Sequence, residues 1–384
     1  MRIIADENIP LLADFFSYFG EIVLVAGREI SHDMLVNADI LLVRSVTKVN
    51  KQLLEGTSIK FVGTCTIGTD HLDIDYLDER SIGWSNASGC NARSVVDYVL
   101  GCLLVLAEQT QSELQYKCFG IIGVGEVGSR LASVLVGLGF KVLLCDPPRA
   151  KKEGSKNFVE MSSIISECDV ISVHTPFIST GVYATHHLLH SSNLCNLKAG
   201  AWLINTSRGV VINNNDLRQL LLCRDDLRAV LDVWESEPVI DVDLAGLCTL
   251  ATPHIAGYSL EGKWQGTEQI YQAVCRYFDE KNSVSLKYIL PSADLQSICV
   301  SGSIGLNKLF KLVCHAVYDP RGDTARFLHT LGQCLSLRGT SFDCLRKNYP
   351  VRREIPGIHV CFTSTIIDQE LTFMLDALGV SWSS

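Results

Sequence analysis

The sequence predicts an α/β protein, with two Rossmann-like doubly wound parallel-sheet domains and a small C-terminal α+β domain. Three observations carry that expectation. Short β-rich runs alternate with helix-like segments over most of the chain, the rhythm of βα units around a parallel sheet. A glycine-rich fingerprint, GVGEVG at 123–128, follows an apolar run directly and opens a helical one. Past residue 286 the alternation gives way to mixed fragments. The length agrees, since 384 residues leave room for two or three domains of about 150 residues each.

In chain order, RIIAD, EIVLVA, ADILLVRS, IKFVGT and IGWSN are the expected strands of the first domain, residues 1–92. The stretch ARSVVDYVLGCLLVLAEQ is a long helix that leads into the second domain, residues 93–257. Its strands are CFGIIGVG, KVLLCD, DVISVH, AWLINTS, AVLDVW and CTLATP. SLEGKWQGTEQIYQAVCRYF then reads as a helix returning to the first domain, which gains residues 258–285 and is discontinuous. Residues 286–384 offer strands and helices without a motif. Within them LRKNYPVRRE reads either as a solvated charged face or as a source of charge for an anionic ligand.

Composition excludes several classes. With 47% hydrophobic and 20% charged residues, the chain buries sizeable cores and is not disordered. A formal net charge of −9 and no dense Lys/Arg stripe argue against a nucleic-acid partner. The most apolar run, YVLGCLLVLA (98–107), is too short to span a bilayer, and MRIIADENIP opens on a strand rather than a signal-peptide core. The 15 cysteines show no CxxC pair and no zinc spacing, and read as reduced core residues of a cytoplasmic protein. His186 and His187 resemble a metal pair. Adjacent side chains are expected to point apart, however, and no carboxylate partner follows, so no metal is predicted.

In the fingerprint, Gly123 permits the tight turn, Gly125 lets the backbone approach a pyrophosphate and Gly128 packs helix on strand. Val127 lies in the same turn, and the helix N-terminus offers free N–H groups to the phosphates. Asp146 ends the next strand 18 residues beyond Gly128, where a carboxylate accepts the ribose hydroxyls of NAD and repels the 2′-phosphate of NADP. Arg149, close by, is a residue that pairs with such a phosphate.

Three further residues follow strands of the same domain: Arg208 after LINTS, Glu237 after LDVW and His254 after LATP. The carboxyl edge of a doubly wound sheet is where ligands bind. A base of near-neutral pKa suits removal of a hydroxyl proton. A carboxylate beside it fixes the imidazole tautomer, and an arginine fork holds a substrate carboxylate. Together they describe oxidation of a 2-hydroxy acid by a nicotinamide cofactor.

GVGEVG, HTP (174–176), NTSRG (205–209), DVWESEP (232–238) and TPHIAG (252–257) in this order resemble the D-isomer-specific 2-hydroxyacid dehydrogenases. MRIIADENIP, LLVRSVTKVN, FVGTCTIGTDHLD, NASGCNARSVVDYV and CDPPRA are similar to the branch that oxidises 4-phospho-D-erythronate with NAD in vitamin B6 biosynthesis. The resemblance implies that Arg208, Glu237 and His254 are catalytic, with His254 carrying the proton. It implies that Asp146, Thr175, Asp232 and Gly257 contact NAD, and that Ser45, Thr66 and Tyr258 contact substrate. Residues 286–384 would be a C-terminal dimerisation domain of a homodimer. Arg44 is the nearest obvious cation for the substrate phosphate, or else a surface ion pair. Cys90 has no activating base and reads as structural. Two alternatives stand beside this reading: a sister dehydrogenase acting on another acid such as 3-phosphoglycerate, and an NAD-sensing protein without turnover.

Overall fold

The computed structural model describes residues 1–363 and 367–384. Chain contacts divide it into two compact units, residues 1–91 with 259–292 and residues 92–258 with 293–384.

The first unit is a five-stranded parallel sheet in the order β2-β1-β3-β4-β5. Its strands are β1 (Arg2–Asp6), β2 (Glu21–Val25), β3 (Ile40–Val43), β4 (Phe61–Thr64) and β5 (Gly83–Asn86). β1, β3 and β4 are almost wholly buried, which is why they read as continuous apolar runs rather than alternating ones. The Leu260–Tyr277 helix lies on this sheet so closely that a Cβ on Gly63 would come within 2.4 Å of Ile270, and one on Gly83 within 2.3 Å of Tyr277.

The second unit holds a six-stranded parallel sheet in the order β11-β10-β9-β8-β6-β7. It comprises β6 (Cys118–Ile122), β7 (Lys141–Cys145), β8 (Val170–Val173), β9 (Trp202–Asn205), β10 (Arg228–Leu231) and β11 (Leu250–Ala251). The chain runs outward from β6 to β7 and then returns to β8 on the other side of β6. A crevice therefore opens beyond the carboxyl ends of β6 and β8, where doubly wound sheets bind their ligands.

Residues 293–384 contribute a three-stranded parallel sheet, β12 (Ser297–Val300), β13 (His359–Phe362) and β14 (Ser381–Ser383), with four helices, Leu306–Val317, Pro320–Leu331, Leu335–Lys347 and Gln369–Ala377. The buried apolar side chains of this sheet and of the Leu306–Val317 and Gln369–Ala377 helices share one hydrophobic cluster with the Ala92–Thr110 helix, whereas Phe327, Leu331 and Phe342 of the other two helices join a second cluster with Trp234. The Ala92–Thr110 helix is buried on nearly every side, as its uniformly apolar run requires of a helix in a soluble fold. Among the described residues no helix is long and apolar enough to cross a membrane.

The expectation of uniformly reduced core cysteines needs correction. Cys299 and Cys361, paired in register on β12 and β13, are bonded to each other. Of the 13 free cysteines, Cys195, Cys223, Cys334 and Cys344 are exposed. The remainder, Cys90 included, are buried or half-buried.

Candidate active site

Gly123 ends β6 with φ 85° and donates its N–H to Cys145 O at 2.9 Å. Only glycine adopts that backbone at no steric cost. A Cβ on Gly128 would fall 2.0 Å from Gly123 O, so the Glu126–Gly137 helix can meet its strand only through a glycine. Gly125 differs: it caps the same helix without a side-chain hydrogen bond, and a Cβ there would meet no atom within 4 Å. Nothing in the fold demands glycine at 125, whereas a pyrophosphate drawn against the helix N-terminus does. Val127 turns its side chain toward the core, leaving its backbone in the turn.

Two more observations fit a dinucleotide. Thr175, just past β8, has its Oγ1 buried with no hydrogen-bond partner. Asp146 caps the Pro147–Glu153 helix, accepting from Arg149 N at 3.0 Å and from Val124 N at 2.8 Å. These bonds hold the carboxylate at the mouth of the glycine turn. Arg149 spends its charge locally, with Nε and Nη2 each 2.7 Å from Glu153 and Nη1 2.6 Å from Val124 O. An arginine so engaged is poorly placed to select a 2′-phosphate, which agrees with the preference for NAD that Asp146 already gave.

On the same carboxyl edge, His254 follows β11 and Glu237 follows β10. The imidazole Nδ1 lies 2.7 Å from Glu237 Oε2, and the other carboxylate oxygen accepts from Trp234 N at 2.9 Å. Burial pushes the Glu237 carboxyl up. The charge of His254, its hydrogen bond and the Trp234 N–H together outweigh burial and hold the group below its ordinary range. His254 has φ 58°, an uncommon backbone for a non-glycine residue. That conformation is held by Asp232, whose backbone carbonyl takes the His254 N–H at 2.7 Å. The Asp232 carboxylate accepts from Thr252 Oγ1, Ile255 N and Ala256 N at 2.6–2.9 Å. It is fully buried, which pushes its pKa up, and its contacts bind the loop. Gly257 lies in the turn that follows.

Arg208 follows β9, half-buried, with Nη1 donating to Ser207 O at 2.9 Å and its own carbonyl held by Asn205 Nδ2 at 3.0 Å. A Cβ on its neighbour Gly209 would fall 1.9 Å from Trp234 C, so the Arg208 turn is pressed against the loop that carries Glu237. His174, beside Thr175, is half-buried, with its ring turned inward. Burial pushes its pKa down to about 3, so it is a neutral partner of Ser172 and Thr206.

In the first unit, Arg44 and Ser45 follow β3, next to the end of β1, again at the sheet's reversal point. Arg44 Nε pairs with the buried Asp6 carboxylate at 3.0 Å, and Ser45 is exposed. Thr66 follows β4 and shares a 2.8 Å hydrogen bond with Thr64.

In the second unit one expectation is overturned and another is narrowed. The rings of His186 and His187 do not point apart. They stack at 4.0 Å because His187 adopts φ 48°, and His187 Nε2 finds a carboxylate in Glu235. Among the described residues no group of three or more His, Cys, Asp or Glu is arranged to hold a metal. The LRKNYPVRRE cluster is a solvated face only in part, with Lys347, Asn348, Pro350 and Val351 exposed. Arg352 is buried, donating to Ser94 Oγ and Ala256 O, and Arg346 lies over the ring of Tyr258 at 5.8 Å. Tyr258 also meets Tyr349 edge-on at 5.7 Å. Sequence reasoning gave these arginines no place beside the His254 turn, because local pattern carries no signal of a contact about ninety residues away.

Residues 105–256 match the family described as "D-isomer specific 2-hydroxyacid dehydrogenase, NAD binding domain", and residues 289–379 match a domain of unknown function, DUF3410. The chain is 53% identical to the erythronate-4-phosphate dehydrogenase of Pseudomonas putida (strain W619) over 99% of both chains. It is 53% identical to that of Azotobacter vinelandii over 94% of both. The NAD+-bound 3-phosphoglycerate dehydrogenase of Entamoeba histolytica superposes with a TM-score of 0.62 at 24% identity, covering 73% of this chain and 95% of that one, which speaks for the fold alone. The chain therefore belongs to the erythronate-4-phosphate dehydrogenases, NAD-dependent enzymes of the D-isomer-specific 2-hydroxyacid dehydrogenase family.

Proposed function

We propose that the chain oxidises 4-phospho-D-erythronate at C2 to (R)-3-hydroxy-2-oxo-4-phosphobutanoate, as a cytoplasmic homodimer serving vitamin B6 biosynthesis. The observation that carries the reading is the 2.7 Å Glu237–His254 pair on the same sheet edge as the Gly123–Gly128 turn. When bound, the oxidised nicotinamide supplies the two-electron acceptor for the C2 hydrogen.

His254 takes the C2 hydroxyl proton. Its Nδ1 is committed to Glu237, so Nε2 is the nitrogen left for that task, and the carboxylate stabilises the imidazolium that forms. Arg208 holds the substrate carboxylate in a planar fork and polarises the adjacent carbon–oxygen bond. Gly123, Gly125, Val127 and Gly128 receive the pyrophosphate, Asp146 the adenosine ribose, and Thr175, Asp232 and Gly257 line the remainder of the cofactor. Ser45, Thr66 and Tyr258 contact the acid, and Arg44, already balanced by Asp6, lends its outward donors to the phosphate.

The name borne by the relatives supports the four-carbon phosphorylated acid. Thirteen free thiols against one Cys299–Cys361 bond weigh toward a reducing compartment. Exposed Leu312, Leu337, Phe373 and Trp382 are apolar residues of the C-terminal segment that a second copy would cover.

Absorbance at the NADH band tests the reading, with 4-phospho-D-erythronate run beside 3-phosphoglycerate and plain erythronate, and with the reverse reaction from NADH and the 2-oxo acid. Turnover confined to the phosphorylated four-carbon acid is expected. Turnover on 3-phosphoglycerate instead would overturn the substrate and leave the His254 chemistry intact. Binding of NAD without turnover in either direction would make the chain a sensor.

A further inference from the structure

The Leu335–Lys347 helix runs against the turn that carries Glu237. A Cβ on Gly339 would lie 3.4 Å from Val239 and 3.6 Å from Pro238, in ordinary van der Waals contact. Three residues on, Phe342 is buried against Phe327 at 5.7 Å, and Phe327 meets Trp234 at 5.9 Å. Trp234 is the residue whose backbone N–H fixes Glu237 Oε1. Seven residues after Gly339, on the same helix face, comes Arg346.

The Arg346 guanidinium lies 5.8 Å from the Tyr258 ring and 5.9 Å from Phe342, and its Nε is shielded from solvent with no hydrogen-bond partner. Burial works against its charge, while Tyr258 and then Glu237 favour it strongly enough to raise its pKa overall. Reciprocally, Arg346 is one of the positive charges that hold Glu237 ionised. Arg352 backs the same turn from behind, donating to Ala256 O.

We propose that Arg346 is a positioning residue of the dehydrogenase centre: its guanidinium seats Tyr258 beside the His254 turn, on a helix that packs against the Pro238 turn carrying Glu237. A planar guanidinium fork held over a phenol restricts the ring in a way an ammonium does not. Both residues that Arg346 addresses belong to the proposed reaction, so the inference rests on that reading. It gives a segment whose family model is described as a domain of unknown function a part in the chemistry as well as in packing.

The test uses the full-length chain with Arg346→Met, Arg346→Lys and, as a control one residue along, the exposed Lys347→Gln. NAD affinity by fluorescence, thermal midpoint, and kcat and KM for 4-phospho-D-erythronate are read for each. Arg346→Met is expected to leave NAD affinity within about twofold, while kcat falls and KM rises by roughly tenfold each, the scale of a misplaced contact. Arg346→Lys restores kcat, because the positive charge that favours ionised Glu237 returns, and keeps the raised KM, because the planar fork over Tyr258 does not. Lys347→Gln behaves as wild type.

Wild-type kcat and KM in Arg346→Met would overturn the proposal. So would a lysine variant matching the methionine variant in both constants, with losses that track a lowered thermal midpoint, since that is a packing role alone. Should Arg346→Met fail to fold, the lysine variant decides: raised KM with kcat kept supports positioning, and unchanged KM refutes it. A wild-type chain that turns over no 2-hydroxy acid would remove this inference together with the reading beneath it.

Discussion

His254 carries its imidazole on a left-handed backbone, and its neighbours keep it there: the Asp232 carbonyl on its N–H, the Asp232 carboxylate on the next two amides, and Glu237 on Nδ1. Of this set, the Glu237–His254 pair was legible in the sequence, because each residue ends an apolar run beside a proline. The loop clamp by Asp232 was not, since a buried carboxylate that binds three donors looks in sequence like any strand-end aspartate. If the pair moves the hydroxyl proton, His254→Ala lowers kcat by about 10²–10⁴-fold with NAD affinity retained. Glu237→Gln, which keeps the shape and loses the charge, costs roughly 10²-fold or more. Steady-state kinetics beside NAD titration checks both. Near-normal turnover in either variant would remove the assigned residue from the chemistry. The Glu237 carboxyl is held below its ordinary value of 4.5. Its contribution to stability is therefore present above that pH and lost as the pH falls through the lower folded value.

Among the elements, the strands of the two large sheets coincide with the β-rich runs, because buried parallel strands must be apolar on both faces and turn residues punctuate them. The C-terminal sheet had no such signal: β14 is exposed and β12 alternates between exposed and inward-facing residues, so neither is buried on both faces as β1, β3 and β4 are. At the glycine turn, two substitutions separate what the fold needs from what the cofactor needs. Gly128→Ala drives a Cβ into Gly123 O and is expected to cost about 1–3 kcal/mol of stability or more, as overpacking does. Gly125→Ala meets only open space and should cost within about 1 kcal/mol of stability. Its NAD affinity should nonetheless fall at least about tenfold, or 1.4 kcal/mol. Urea unfolding and NAD titration of the two variants provide the comparison. Equal stability losses, or unchanged NAD affinity in Gly125→Ala, would sink the assignment of that space to the pyrophosphate.

Across the molecule, the stretch that sequence analysis set apart as 286–384 shares a core with the Ala92–Thr110 helix, and one buried acid ties the two together. Asp97, in the middle of that helix, accepts the Ile355 N–H at 2.8 Å and pairs with Arg93 at 2.7 Å. The sequence offered Asp97 only as a charge interrupting an apolar run, because its partner lies 258 residues away. Burial pushes its pKa from 3.8 up to about 6, with Arg93 opposing. Folding therefore favours the protonated acid. The stabilisation this proton brings is full below the unfolded value near 3.8 and is lost as the pH rises through about 6. Asp97→Asn removes the titration, and subtracting its unfolding free energy from that of the wild type at each pH cancels the other acids the two proteins share. That difference should shift in favour of the wild type by about 2 kcal/mol as the pH falls from 6.5 to 4. Denaturant midpoints across that window measure it. A flat difference would mean that Arg93 and the Ile355 amide keep Asp97 ionised throughout, and that the junction is an ion pair at every pH.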